Sequence, residues 1–248
     1  MVKVLINGCN GKMGKVLAGE IEQTQDIETI CGVDRQDTGD NKFPVYTSFE
    51  NVAERPDVII DFSVPDASMT MLEYAKAEKI PVVIATTGFN EEQTAKIMEA
   101  SSVIPVFKSA NMSYEINLLS KLVAELSQKL ADSDIEIVET HHNQKIDAPS
   151  GTALLLANSI NEARNNEMNY EYNRQAKREK RSKNEIGIHS LRGGTECGKH
   201  SVIFFGRNES LELTHNVTSR AVFANGAIKA AFFTILKEPG YYDMNSML

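Results

Sequence analysis

Along the first hundred residues, short apolar runs alternate with stretches whose hydrophobic positions recur at helical spacing. Val2–Asn7 reads as a strand, and Lys15–Thr24 as a helix with Val16, Leu17 and Ile21 on one side. Ile27–Asp34 reads as a second strand. Val58–Phe62, apolar but for Asp61, and Pro81–Ala85 are apolar runs, as expected of central parallel strands covered on both faces. Helical stretches, Ala67–Glu78 and Glu91–Ser101, separate and follow them, and Ile104–Phe107 adds a short strand. Repeated strand–helix units of this kind predict an α/β, Rossmann-type doubly wound parallel sheet.

The pattern then changes. Ser113–Leu130 carries Ile116, Leu119, Val123, Leu126 and Leu130 at helical spacing, so one side of a long helix is buried. A strand, Asp134–Thr140, and a helix, Thr152–Ala163, follow. Residues 165–184 are polar and without periodicity. Ser201–Phe205 and Leu211–His215 flank Gly206–Ser210 and read as an antiparallel pair with a turn. A last helix, Ala221–Leu236, ends before Pro239–Gly240. These features predict a dinucleotide-binding domain from residues 1–111 and 220–248. Residues 112–219 are expected to form a second α+β domain with a mixed or antiparallel sheet.

Of the 248 residues, 42% are hydrophobic and 24% charged, as in ordinary globular proteins. The net charge of −8 argues against a general nucleic-acid binder. The basic run Arg174–Lys183 lacks aromatic platforms and reads as a solvated loop or helix face. Cys9, Cys31 and Cys197 have no metal-ligand spacing, so no metal site is expected and a reducing compartment fits. No apolar run approaches the ~20 residues of a membrane helix. A strand beginning at Val2 leaves no room for a signal peptide, so the expected location is cytoplasmic.

Strand one runs into Gly8-Cys9-Asn10-Gly11-Lys12-Met13-Gly14 and then a helix. Glycines there permit a tight turn and let backbone amides approach a pyrophosphate at the helix N-terminus. Asp34 closes the second strand ~20 residues later, where an acid accepts hydrogen bonds from an adenosine ribose. Arg35 beside it, with Lys12, could meet a 2′-phosphate, so NADH, NADPH or both stay open. Ala85-Thr86-Thr87-Gly88 and Ser109-Ala110-Asn111-Met112 fall at carboxyl ends of strands, as walls for a nicotinamide.

The remaining chemistry is crowded into Glu139–Ala153, which reads ETHHNQKIDAPSGTA. Adjacent strand side chains point to opposite faces, so His141 and His142 share a site only if the strand ends about there. Ser150 is a candidate N-cap, which would leave amides of Gly151 and Thr152 to receive an anion. Lys145 adds a positive charge. Beside a dinucleotide domain, an anion receptor with a proton donor implies reduction of a small acid.

This stretch resembles the signature of the 4-hydroxy-tetrahydrodipicolinate reductase (dihydrodipicolinate reductase) family. The resemblance extends in order to Gly8–Gly14, Thr86–Gly88, Leu191–Gly194, Glu212–His215, Ser219–Ala227 and Gly240–Met244. It implies NAD(P)H-dependent reduction of 4-hydroxy-2,3,4,5-tetrahydrodipicolinate to tetrahydrodipicolinate with loss of water, in the diaminopimelate route to lysine. It further implies His141 as the proton donor or acceptor, Lys145 as a second proton-donating or substrate-orienting group, and His142, Gly151 and Thr152 as ligands of the substrate carboxylates. Gly8, Cys9, Asn10, Gly11, Lys12, Met13, Asp34 and Arg35 would hold the dinucleotide. Ala85, Thr86, Thr87, Ser109, Ala110, Asn111 and Met112 would line its nicotinamide end. A homotetramer joined through the second domain is also implied. Ala85 and Glu115 stand where the family usually has glycine. Two other readings remain: a different NAD(P)-dependent imine or keto-acid reductase, and an NAD(P)H-sensing regulator without turnover. The first would not need the His-His-x-x-Lys corner, and the second would need no proton donor.

Overall fold

Three runs, Val4–Ile6, Val58–Ile60 and Val82–Ile84, have every side chain inaccessible to solvent. Their alternate residues feed two cores. Val4, Ile6, Ile60 and Val83 pack on one side of a sheet, and Leu5, Ile59, Val82 and Ile84 on the other. Burial on both faces is why these strands are apolar without alternation.

The computed structural model describes residues Met1–Leu248 and divides into two compact units, Met1–Ser113 with Arg220–Leu248, and Tyr114–Ser219. The elements, in chain order, are β1 (Val2–Asn7), α1 (Lys12–Gln23), β2 (Ile27–Val33), β3 (Val45–Tyr46), β4 (Val58–Asp61), α2 (Pro65–Glu78), β5 (Val82–Ile84), α3 (Glu91–Ala100), β6 (Pro105–Lys108), α4 (Tyr114–Lys129), β7 (Asp134–His141), α5 (Gly151–Ala163), β8 (Asn169–Glu171), β9 (Glu185–Arg192), β10 (Gly198–Phe205), β11 (Ser210–Val217), α6 (Ala221–Thr234) and β12 (Gly240–Tyr242).

The first unit is a seven-stranded sheet of order β12-β6-β5-β4-β1-β2-β3, with every neighbouring pair parallel. Local sequence sets the helix starts. Pro65 opens α2, where its fixed φ suits the first helical position. Asn90 and Gln93 form a reciprocal capping box on α3. The alanine-rich α6 returns to this unit, and Gly226 is required there. A Cβ at that position would lie 1.6 Å from the Met112 carbonyl oxygen.

The second unit is a mixed five-stranded sheet of order β11-β10-β7-β9-β8. β10 is antiparallel to β7 and β11, whereas β9 is parallel to β7 and β8. Helices α4 and α5 bury Ile116, Leu119, Val123, Leu156 and Ile160 with Ile135, Ile137, Ile186, Ile188, Val202 and Phe204 of the sheet.

Several boundaries differ from the sequence expectation. α1 starts at Lys12, not Lys15, because Gly11 already serves as its N-cap. α6 stops at Thr234, before Pro239, and the tail then forms β12 along β6. The polar span 165–184 is not wholly irregular: it holds β8 and a short 3-10 turn, Arg174–Ala176. β9 is a full strand that period-two reading missed, because only Ile186 and Ile188 alternate as apolar residues and Ser190 and Arg192 continue the same face as polar ones. The basic run is largely exposed, as expected of a solvated loop, and is tied down by ion pairs at three of its residues. Arg174 meets Glu185 at 2.6 Å, Arg181 meets Asp134 at 3.0 Å and Glu136 at 3.1 Å, and Lys177 pairs with Glu171.

Candidate active site

In the first unit, the glycine turn is shaped by close backbone approach. Gly8 has φ +82°, and a Cβ on it would lie 2.8 Å from the Phe62 carbonyl oxygen. A Cβ on Gly14 would lie 2.2 Å from the Gly8 carbonyl oxygen. α1 begins at Lys12 with no side-chain cap on its first amides, the usual setting for a phosphate. Asp34 Oδ2 accepts the Asn10 amide at 2.8 Å and Oδ1 the Arg35 amide at 2.8 Å, which ties the end of β2 to the turn. Arg35 and Lys12 are exposed. Cys9 is different: its side chain is fully buried, and a Cβ on Gly32 would come within 2.6 Å of its Sγ. Only the Cys9 backbone faces the turn. Burial pushes its thiol up to about 12, so it stays protonated.

The walls at the strand ends rest on a hub that sequence reading did not single out. Asp61, the last residue of β4, is completely buried. It accepts from Asn7 Nδ2 at 2.8 Å and Ser63 Oγ at 2.5 Å, and from the Ser68 hydroxyl. Burial raises its acid range against these hydrogen bonds, which lower it. Thr86 Oγ1 accepts the Ser63 amide at 3.0 Å and is buried, whereas Thr87 is exposed and Ala85 half-buried. Ser109 Oγ donates to the Asn111 carbonyl at 2.8 Å, Ala110 is exposed, and the Met112 side chain is 3% exposed within the core.

In the second unit, the helix-covered face of the sheet changes character along its strands. Two cross-strand rows are apolar, Phe204–Ile135–Ile186 and Val202–Ile137–Ile188. The next two are polar, His200–Glu139–Ser190 and Gly198–His141–Arg192, with His215 beside His200 on β11. The polar rows run past the covering helices to the start of α5. Ser150 caps that helix: its Oγ accepts the Ala153 amide at 3.1 Å and lies 2.8 Å from His200 Nε2.

Glu139 is the centre of this corner and is completely buried. Arg192 grips both its oxygens, Nη1 to Oε2 at 2.8 Å and Nη2 to Oε1 at 2.7 Å. Oε1 also accepts the Ser150 amide at 3.2 Å, and Oε2 lies 2.5 Å from His141 Nδ1. Burial works against its charge, but hydrogen bonds from Arg192, Ser190 and His141, with the guanidinium charge, bring its carboxyl down to about 2. An ionised carboxylate only accepts, so the His141 Nδ1 carries a proton and Nε2 is left to exchange one. Gly198 faces that nitrogen, and a Cβ there would lie 3.0 Å from Nε2.

His141 is the last residue of β7 and is 8% exposed, so the strand does end where the histidine pair needed it to. His142 is half-buried just beyond, held through its amide to the Glu196 carbonyl at 2.8 Å. Lys145 Nζ pairs with Asp147 Oδ1 at 2.8 Å, so an anion would have to replace that partner. Gly151 is exposed and Thr152 half-buried in the first turn of α5. Sequence reading quoted Glu139, and Arg192 within Leu191–Gly194, but gave neither a role, and it passed over His200. Period-two spacing was the available signal: after Ile135 and Ile137, Glu139 and His141 continue the same inward face. Glu139, His141 and His200 present nitrogen and oxygen atoms within 4.8 Å of one another, in reach of one metal ion. The Arg192 guanidinium already occupies both carboxylate oxygens and would repel a cation.

A parallel sheet with a glycine turn, joined to a mixed sheet that holds a histidine–carboxylate pair, defines a two-domain pyridine-nucleotide oxidoreductase. Family models described as dihydrodipicolinate reductase match the chain in succession, the N-terminus over residues 2–112 and the C-terminus over residues 115–248. The chain belongs to the dihydrodipicolinate reductase family. It is 49% identical over 248 residues to a 4-hydroxy-tetrahydrodipicolinate reductase of Caldanaerobacter subterraneus subsp. tengcongensis, covering 100% of this chain and 98% of the relative. Identity to the protein of that name from Clostridium tetani is 45%, over 100% and 97% of the two chains. Among solved structures, a dipicolinate-bound dihydrodipicolinate reductase from Paenisporosarcina sp. TG-14 aligns with a TM-score of 0.82 at 26% identity, covering 99% of each chain. A myo-inositol dehydrogenase from Corynebacterium glutamicum shares the fold at TM-score 0.62 and 16% identity, over 97% of this chain and 90% of its own.

Proposed function

We propose that the protein reduces 4-hydroxy-2,3,4,5-tetrahydrodipicolinate to tetrahydrodipicolinate with loss of water, in the diaminopimelate route to lysine. The observation that carries this reading is the His141–Glu139 pair at the end of β7, next to the start of α5. Bound NADH or NADPH supplies the hydride. His141, having first taken a proton on Nε2 to become doubly protonated, supplies that proton to the substrate while Glu139 holds Nδ1–H and the ring returns to its neutral form. Lys145, released from Asp147, meets one substrate carboxylate, and His142 with the α5 turn at Gly151 and Thr152 receives the other. The turn Gly8–Met13, Asp34 and Arg35 hold the dinucleotide, with the segments Ala85–Thr87 and Ser109–Met112 at its nicotinamide end. Asp34 suits the ribose of NADH, and exposed Arg35 and Lys12 suit the extra phosphate of NADPH, so the protein uses both. Side chains on the sheet face opposite α4 and α5 include Val138, Ile203, Leu191 and Phe205, the last two exposed. That face joins the subunits of a homotetramer. No helix is long and apolar enough to cross a membrane, in keeping with a cytoplasmic enzyme.

One assay tests the reading. Substrate is made in situ from pyruvate and aspartate semialdehyde by the preceding synthase, and nucleotide oxidation is followed at equal NADH and NADPH concentrations. Oxidation of both is expected. No oxidation of either would reject the proposal in favour of another substrate or a nucleotide-sensing role.

A further inference from the structure

We infer that Glu139 is a positioning residue of this reaction: it fixes His141 in the Nδ1-protonated tautomer and ties that imidazole to the start of α5, with Arg192 as its counter-ion. The inference rests on the reductase reading above, because it gives Glu139 a purpose through His141. Its grounds are geometric. A completely buried carboxylate is costly unless its lone pairs are filled, and the Arg192 fork would suffice for a purely structural ion pair. Glu139 does more. Oε2 also faces His141 Nδ1 at 2.5 Å, and Oε1 also accepts the Ser150 amide at 3.2 Å. One carboxylate therefore joins three separate elements: β7 with the proton donor, β9 with the cation, and the N-cap of the helix that receives the anion.

The tautomer follows from the acceptor. With carboxylate at Nδ1, the proton must sit there, and the exchangeable site is Nε2. Arg192 donates from both Nη1 and Nη2, so the carboxylate cannot turn away from the ring without losing one of them. Glu139→Gln keeps the shape but replaces one acceptor oxygen by an NH2 donor. That donor faces the guanidinium in either orientation, and placed at the Oε2 position it also faces the ring nitrogen and forces the proton onto Nε2.

The test uses the full-length protein. Histidine side chains are 15N-labelled, and the His141 signal is assigned by its loss in His141→Asn. Wild type should show Nδ1–H, and Glu139→Gln should show Nε2–H or a mixture. In steady-state assays Glu139→Gln should lower kcat roughly 10- to 1,000-fold with KM within ~3-fold, because proton transfer fails while binding persists. NADH affinity, measured by nucleotide fluorescence, should be unchanged. A wild-type His141 whose neutral ring is protonated on Nε2 instead of Nδ1 overturns the inference, whether or not the variant folds. So does a Glu139→Gln enzyme with unaltered kcat. Absence of turnover in wild type would instead reject the reductase reading, and the tautomer measurement would still decide the role of Glu139 toward the ring.

Discussion

His200 should make the protein acid-labile in a defined window. Its ring is 4% exposed, packs edge-on to His141 at 5.1 Å, and places Nε2 at 2.8 Å from Ser150 Oγ. That hydroxyl accepts the Ala153 amide and keeps a proton that it can donate to a neutral Nε2. Protonation would place a charge on a buried ring beside a second imidazole. Burial, reinforced by His141, lowers the ring from 6.5 to about 4. The unfolded chain therefore takes a proton near 6.5, while the folded chain refuses one until about 4. Over that range the unfolded state binds more protons, so stability falls as pH falls and levels off below the folded value. At ~1.4 kcal/mol per pH unit the loss is on the order of 3 kcal/mol. That is a large share of the ~5–15 kcal/mol typical of folded proteins.

Urea unfolding of wild type and His200→Asn between pH 7.5 and 4.5 isolates this contribution. At pH 7.5 the variant should be less stable by about 1–2 kcal/mol, having lost the ring and its hydrogen bond. Near pH 4.5 the difference should vanish or reverse, since asparagine does not titrate. The carboxyl of Glu139, held at about 2, loses its contribution only below the ordinary glutamate value of 4.5, so the two windows separate. His215, also lowered by burial, titrates in both proteins and cancels. A stability difference that stays constant within ~0.5 kcal/mol across the range would refute the reasoning, because ~1.4 kcal/mol per unit leaves no room for so flat a response.

Three further outcomes follow from contacts at single atoms. Gly14→Ala brings a Cβ to 2.2 Å from the Gly8 carbonyl oxygen, so the turn must open; a lower melting temperature and at least roughly tenfold weaker nucleotide binding are expected by calorimetry. Gly198→Ala crowds His141 Nε2 at 3.0 Å; kcat should fall while nucleotide affinity and far-UV circular dichroism stay as in wild type. Lys145→Ala removes a charged partner for the substrate anion, worth about 1.5–3 kcal/mol, so KM should rise roughly 10- to 150-fold in the coupled assay.

The parallel sheet was legible because its strands are buried on both faces and its helices have apolar sides. β12 was not: Gly240–Tyr242 has only three residues, and its pairing with β6 is a long-range choice that local pattern does not encode. The same holds for β9, whose inner residues Ser190 and Arg192 look like loop chemistry until β7 is laid alongside. In the second unit, the crowding of Glu139–Ala153 announced a site but not its wiring. His141 and Lys145 stand out by residue type. Glu139, Arg192 and His200 matter because of which residue lies opposite which, and that information resides in strand register. A sequence reading that carried the alternation of β7 two steps past Ile137 would have put Glu139 and His141 on one face, without revealing the arginine that holds them.

Register is therefore the constraint that joins folding to chemistry in the second unit. The inner face of β7 reads Ile135, Ile137, Glu139, His141, and the outer face reads Asp134, Glu136, Val138, Thr140. A slip of one residue exchanges the two sets. It would drive Glu136 and Asp134 beneath α4 and α5 without a cation, and it would carry His141 away from the start of α5. The apolar half of each strand thus holds the polar half in place. Ile135 and Ile137 against Val202 and Phe204 fix the pairing by burial, and the same pairing sets Glu139 opposite His200 and His141 opposite Arg192. The energetic cost of a slip falls on the core, while its functional consequence falls on the site. This explains how so polar a cluster can be built at strand ends: its geometry is enforced by hydrophobic rows two and four residues away, and Arg192 neutralises the one carboxylate that burial would otherwise forbid.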